Sequence, residues 1–358
     1  MKKTRKYLFK ILLLIFLSVI LILPFNSCFR YLIRAGYGQM KIITARQDIE
    51  NVLKDSATDS TTRKKLEHVL KVQDFASKSM GLNTSDSYKK FAVIDRDAAA
   101  YNVTASKELS FEPKVWWFPI VGSVPYLGFF SRKEAEDLSE DLTKEGWDTN
   151  VDDVSAYSTL GWFDDPLLSS QLKYSEWYLT RLIIHEATHA TVWIPDDVTF
   201  NESLATFVEM EGSLQYYSVS EGKESVRKKK IYLEESSIIT DLFRRYAHKL
   251  DDVYRSERTD HEKRLLKKQI IMELKDELRS FQGKKIKYIP LESYFETNYN
   301  NADFLSYLRY ESGQDFFREI YLKCENKWDC FFLKMEEIKK IKPADREKLY
   351  SEYGKTKY

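Results

Sequence analysis

The feature that most constrains this chain is His185-Glu186-Ala187-Thr188-His189. Two residues four apart share a face on an α-helix, so the spacing demands a helix if both imidazoles are to reach one ion. Zinc takes neutral imidazole nitrogens and carboxylate oxygens and keeps a position open for water. Glu186 projects beside the pair, where it can act on that water. The chain has only five histidines, and chance gives an H-E-x-x-H in roughly one such chain in several hundred. The plainer alternative is two histidines on a helix surface. Leu182-Ile183-Ile184 argue against it: an apolar preceding turn makes the helix partly buried, and buried histidines without a ligand are costly.

A third ligand is required. His68 is read in a distant, charged helix, and His248 and His261 in a charged stretch; none has the context of a ligand. Asn201-Glu202-Ser203-Leu204-Ala205-Thr206-Phe207-Val208-Glu209 fits better. Glu202 opens a second helix and Glu209 lies two turns on, on the same face. Such a pair suits one carboxylate that binds the ion and one that orients a ligating histidine. The alternative is a pair of ordinary solvated helix charges.

The surrounding body reads as predominantly α with a small β element, an α+β chain in which the H-E-x-x-H helix and the Glu202 helix sit inside a larger helical body. Glycines number only 12, and Glu/Lys/Leu-rich stretches are common, which favours helices over a β-sandwich or barrel. With 358 residues, 43% hydrophobic and 31% charged, the chain can bury a sizeable core. Mean hydropathy is −0.47 with one long apolar run, which excludes a polytopic membrane protein. Five of the 56 basic residues and none of the 55 acids fall in residues 1–27. The remainder is mildly acidic and offers no basic face for nucleic acid.

That N-terminal segment has a basic start, an apolar run from Ile11 to Leu23 and a polar break. The run is short for a span, which needs about 20 apolar residues. Ser27-Cys28 after such a run resembles a bacterial lipoprotein signal, with Cys28 as the lipidated residue; the alternative is an uncleaved anchor. Both place the body outside the cytoplasm, membrane-anchored in the bacterial cell envelope on the extracytoplasmic, periplasmic side. Cys324 and Cys330 could pair in a short loop, whereas two turns of one helix would hold them too far apart, and the reading leans against a disulfide.

The organisation expected is a signal or anchor segment (1–28), a mostly helical region (29–150), a core with the two motif helices (151–220), a charged helical hairpin (221–283) and a C-terminal helical region completing the site (284–358). Helices are expected over 46–53 and 64–79, and over 131–145 with Ser131 as N-cap; 116–130 is less regular. Residues 156–163 read as a strand ended by Asp164-Asp165-Pro166. A helix follows from Ser170 to Val192, stopped by Pro195. Another begins near Asp197 or Thr199, and 284–289 reads as a short strand.

H-E-x-x-H followed by N-E-x-x-A-T-x-x-E resembles the gluzincin metallopeptidases, including the aminopeptidase N type. A narrower resemblance joins AYSTLGWFDDPLLSS, RLIIHEATHATVWIPDDVTFNESLATFVEMEG and NNADFLSYLRY to a family of bacterial zinc-dependent lipoproteins described as putative aminopeptidases. It covers nearly the whole chain after residue 28, more loosely over 221–290. Two departures are visible. That family often has cysteines near the W-x-F-P-x-x-G segment, where this chain has Trp117 and Ser123. The G-x-M-E-N segment that holds the substrate amine in aminopeptidase N-like enzymes is absent, so aminopeptidase specificity rests on the family name.

The resemblance implies one Zn2+ held by His185, His189 and Glu202, with Glu186 as general base and a peptide as substrate. It also implies a downstream oxyanion donor, for which Tyr310, after Asn300-Asn301-Ala302, is the candidate; among 23 tyrosines a packing role is the alternative. The expected function is a membrane-tethered zinc metallopeptidase, an aminopeptidase by resemblance. The competing readings are a catalytically silent lipoprotein acting as a binding or envelope-scaffold module, and a zinc hydrolase of non-peptide amides.

Overall fold

The computed structural model describes residues 27–84, 88–118, 122–156, 165–195, 197–309 and 314–354. Helices account for 65% of it and the sheets are small, the mostly α architecture expected from the sequence. No helix among the described residues is long and apolar enough to cross a membrane.

Helix α1 (Ser27–Thr44) leads into β1 (Arg46–Asp48), α2 (Ile49–Lys54) and α3 (Ser60–Met80). The helix expected over 46–53 therefore gives up its first three residues to a strand, which pairs antiparallel with β2 (Lys90–Ala92). Helix α3 starts where the Asp59 carboxylate accepts the N–H groups of Thr61 and Thr62, and stops at Gly81 in the left-handed region.

The stretch after α3 holds strands that sequence reading missed. β3 (Ala100–Lys107) is the centre of a three-stranded antiparallel sheet. β4 (Trp116–Phe118) and β5 (Gly122–Val124) form a hairpin in which Trp117 stands directly opposite Ser123. β6 (Leu127–Phe129) flanks β3 on one side. α4 (Arg132–Lys144) begins after Ser131, whose hydroxyl accepts the Glu134 N–H as expected of an N-cap. β7 (Trp147–Val154) flanks β3 on the other side, and α4 covers the sheet with Ala135 and Leu142 on Tyr101 and Val103.

β8 (Leu167–Leu168) pairs parallel with β2. The strand expected over 156–163 lies, beyond Ala156, outside the described residues. The helix expected from Ser170 begins later. A separate 3-10 turn occupies Ser169–Lys173, and α5 (Glu176–Thr191) starts after Ser175, whose hydroxyl accepts the Tyr178 N–H. α6 (Val198–Ser220) is capped by the Asp197 carboxylate on the Phe200 N–H. Between the two helices the Asn201 amide brackets Ile194, accepting its N–H at 2.9 Å and donating to its carbonyl at 2.8 Å. That clamp fixes the turn that brings the start of α6 back over the end of α5.

α7 (Lys223–Arg255) and α8 (Asp260–Phe281) form an antiparallel hairpin tied by Arg245 and Tyr246 to Glu277. No strand forms over 284–289; a single bridge joins Gln282 to Ile286. The reason is Glu235, 3% exposed, whose carboxylate takes the N–H groups of Lys287, Tyr288 and Ile289 and so leaves none for a strand partner. α9 (Glu292–Glu296) and α10 (Asn301–Arg309) follow, then α11 (Gln314–Lys323), α12 (Trp328–Lys339) and α13 (Pro343–Gly354). Cys324 and Cys330 are joined by a disulfide, contrary to the sequence expectation. They do not share a helix: Cys324 follows α11, Cys330 lies in the first turn of α12, and Glu325 and Asn326 turn the chain with positive φ between them, which leaves the Cα atoms 5.6 Å apart.

The largest core lies where α3, α5, α6, α11 and α12 meet. Leu66, Ile184, Leu204, Phe207, Phe317 and Phe331 are each fully buried there. α5 and α6 are thus clamped against each other by apolar packing. The edge of their contact that escapes the core carries the polar side chains described next.

Candidate functional site

His185 and His189 lie one turn apart on α5, with rings 4.7 Å between centroids and Nε2 atoms 3.1 Å apart. The first turns of α6 bring Glu202 over them: one carboxylate oxygen is 3.4 Å from His185 Nε2, the other 3.5 Å from His189 Nε2. The three residues offer ligand atoms all within 4.8 Å of one another, a cluster able to hold one metal ion. No other His, Cys, Asp or Glu group among the described residues does so.

Glu209, two turns after Glu202 on α6, reaches the far side of the His185 ring. Its carboxylate accepts from His185 Nδ1 at 2.9 Å and from Arg181, whose Nε lies at 3.0 Å and whose terminal nitrogen closes a second bond on the same oxygen. In the neutral imidazole a proton held on Nδ1 leaves the Nε2 lone pair facing His189 and Glu202. Sequence reading missed Arg181. Its signal was available: it stands four residues before His185, on the same helical face.

The His68 ring is buried, not distant. It packs against α5 two turns before the motif, with Nε2 2.8 Å from Thr180 Oγ1. The Trp193 ring stands edge-on to His189 at 5.3 Å. His189 Nδ1 is buried with no hydrogen-bond partner among the described residues.

Electrostatics follow from these contacts. Burial favours neutral His185, but the Glu202 and Glu209 carboxylates outweigh it and hold the ring's pKa well above the ordinary value. Burial and the neighbouring His185 push His189 down, so its lone pair is available at neutral pH. Burial also opposes ionisation of Glu202 and Glu209, yet hydrogen bonds and charges from the histidines, and Arg181 at Glu209, keep both carboxyls below the usual range. Glu186 differs. Burial drives it up to about 7, opposed by His185 and reinforced by Glu202, Asp165 and Glu209. It also lines a small recess of about 10 Å³ with Tyr88 and Gln73, room for about one water.

The remaining candidates are placed differently. Tyr310 lies outside the described residues. Asn300 and Asn301, which precede it, form a clamp. The Asn301 amide donates to the carbonyls of Lys107, Glu108 and Ser110 and accepts from Tyr254, while Asn300 donates to Thr149 O. They join α10 and the α7–α8 hairpin to the β3–β7 pair. Cys28 falls in the first turn of α1. His248 and His261 are exposed on α7 and α8.

Compared with known proteins, residues 30–350 match a family described as putative aminopeptidase. No curated protein and no solved structure was found to match the chain.

Proposed function

Because the chain belongs to the putative aminopeptidase family, whose description points to peptide hydrolysis, we propose that it is a zinc-dependent metallopeptidase tethered to a bacterial membrane on the extracytoplasmic side. One observation carries the metal assignment. Ligands about 2.0–2.2 Å from a common tetrahedral ion stand roughly 3.3–3.6 Å apart. The two imidazole Nε2 atoms are 3.1 Å apart, slightly closer than that, one Glu202 oxygen is 3.4 Å from His185 and the other 3.5 Å from His189, and one ligand atom from each of the three lies within 4.8 Å of the others. Two imidazole nitrogens and a carboxylate also match the donors zinc takes in hydrolytic sites, and three protein ligands leave a fourth position for water.

When bound there, zinc supplies Lewis acidity: it lowers the pKa of a coordinated water and polarises a carbonyl. The chain's own residues do the rest. His185, His189 and Glu202 provide the donors. Glu209, steadied by Arg181, fixes the ring plane and tautomer of His185. Glu186, beside the two imidazoles, takes the proton of the attacking water and returns it to the leaving amine. The tether is assigned to residues 1–28, through lipid on Cys28 or through the apolar run itself.

The test measures zinc and peptide cleavage on the full chain, with His189→Ala and Glu202→Ala beside the wild type. The wild type is expected to carry one zinc and to cleave peptides, free N-termini in preference to blocked ones. Both variants should lose metal and activity together. A gently purified wild type that holds no zinc and gains none on addition refutes the assignment.

A further inference from the structure

Helix α1 presents two contrasting faces. On one, Tyr31 donates to Gly128 O at 2.9 Å, Ile42 is buried, and a Cβ on Gly38 would fall 2.1 Å from the Phe130 ring. The helix is therefore seated firmly on the body. The opposite face carries Leu32, Ile33, Tyr37 and Met40, exposed by 47%, 54%, 65% and 53%. Ile33 and Met40 lie opposite Tyr31, Gly38 and Ile42 at the helical period, with Leu32 on one flank and Tyr37 on the other, the flank that Arg30, Arg34 and Lys41 share. Beside them the β4–β5 hairpin exposes Trp117 by 68%, and Ile33, Tyr37 and Trp117 together line one cleft of about 1310 Å³. Single exposed apolar residues need no explanation, but a row of them joined to a tryptophan marks a contact surface.

Three observations identify the occupant. The helix holds Arg30, Arg34 and Lys41 and no acid, which suits a negatively charged surface; Arg34 is shared with Glu134 at 2.7 Å. Tyrosine and tryptophan beside aliphatic side chains are the composition that sits at the level of lipid headgroups. The apolar run ends at Leu23, and the four steps from there to Ser27 reach at most about 14 Å, so a bilayer entered by that run lies within that distance of the start of α1.

We propose that the outer face of α1, with Trp117, is a membrane-docking surface that lies in the headgroup layer of an anionic bilayer. The protein then rests on the membrane through folded structure as well as through residues 1–28. This rests on the tethered reading above and adds a second contact to it.

The experiment reconstitutes the full chain into vesicles of phosphatidylcholine and phosphatidylglycerol, with part of the phosphatidylcholine brominated on its acyl chains. Flotation reports attachment, and quenching of tryptophan emission reports depth. Ile33→Trp should add blue-shifted emission that the brominated lipid quenches. Trp117→Phe should remove part of the quenching seen in the parent, whereas Leu333→Trp, exposed on α12, should add emission that is not quenched. Flotation with Ile33→Trp emission unquenched, or quenched no more than Leu333→Trp, overturns the docking surface and leaves the tether standing. No flotation overturns both. A detergent-solubilised dimer that Ile33→Trp breaks, with no lipid quenching, gives the face to a second copy of the chain and also overturns the proposal.

Discussion

Removing Arg181 alone should damage the protein more than removing Arg181 and the charge of Glu209 together. Glu209 is 8% exposed and its carboxylate has Arg181 and His185 as partners. Arg181→Met strips the permanent cation and leaves a buried carboxylate on one imidazole. Breaking a buried pair from one side costs about 3–5 kcal/mol, and the 27% exposure of the Arg181 side chain puts this case at the lower end, about 3 kcal/mol. At about 2.1 cal/mol/K per residue, unfolding 358 residues carries an entropy near 0.75 kcal/mol/K, so that loss reads as a Tm about 4 °C lower. Arg181→Met with Glu209→Gln leaves no uncompensated charge and should recover half or more of it. Glu209 has its carboxyl pKa below the ordinary value, so its contribution is complete at pH 7 and is lost only as pH falls through that lowered value. Thermal unfolding at pH 7 in chelator is therefore the right assay. Zinc competition on the same variants should show affinity weakened by about 10–100-fold wherever His185 loses its Glu209 partner. A double variant that melts no higher than Arg181→Met refutes the reasoning.

Glu186→Gln keeps size and removes the base; zinc content and fold should stay near wild type while peptide hydrolysis falls by about 10²–10⁴-fold, measured by single-peptide cleavage with metal analysis of each sample. Cys28→Ala should abolish incorporation of labelled lipid if the tether is a lipidated cysteine; a wild type that takes up none while staying on the membrane points instead to the apolar run. Burial, reinforced by Asp152 and Asp148, holds the Asp303 carboxyl up to about 6. A raised carboxyl gives stability that is full below its ordinary value of 3.8 and is lost as pH rises through 6. Asp303→Asn should therefore gain on wild type between pH 4 and pH 7 by up to about 3 kcal/mol, read by urea unfolding at both pH values; a constant difference would count against the burial argument.

What could be read in advance was whatever depends on local spacing. Ser131 sits at the start of α4 as a cap, and Pro195 and Asp197 bound the turn between α5 and α6. The shared face of His185 and His189 follows from i,i+4 periodicity alone, and the shared face of Glu202 and Glu209 from their separation of two turns; that the two faces meet depends on the Asn201 clamp and the core between α5 and α6. The strands were hidden for opposite reasons. β3 is buried at six of eight positions, so it shows no alternation, while β7, with Asp148, Asp152 and Asp153, reads as a polar loop. Glu235 could not be foreseen because its partners lie more than fifty residues away. The asparagines at 300 and 301 entered only as the segment that leads to Tyr310, and spacing gave no hint that their side chains spend their hydrogen bonds on distant carbonyls. Arg181 was legible and overlooked.

The two-helix construction of the site has a kinetic consequence. His185, its partner Glu209 and everything between them span 24 residues, so gathering these groups closes only a short loop. The contacts that lock α5 and α6 into the body are far longer: His68 to Thr180 spans 112 residues and Gln215 to Tyr321 spans 106. Short loops close in well under a microsecond, long-range docking far more slowly. The donor set can therefore assemble while the α11–α12 layer is still loose. An ion captured at that stage would staple α5 to α6 in the order of events, making refolding faster with metal present, and would do so more strongly than its effect on the unfolding rate.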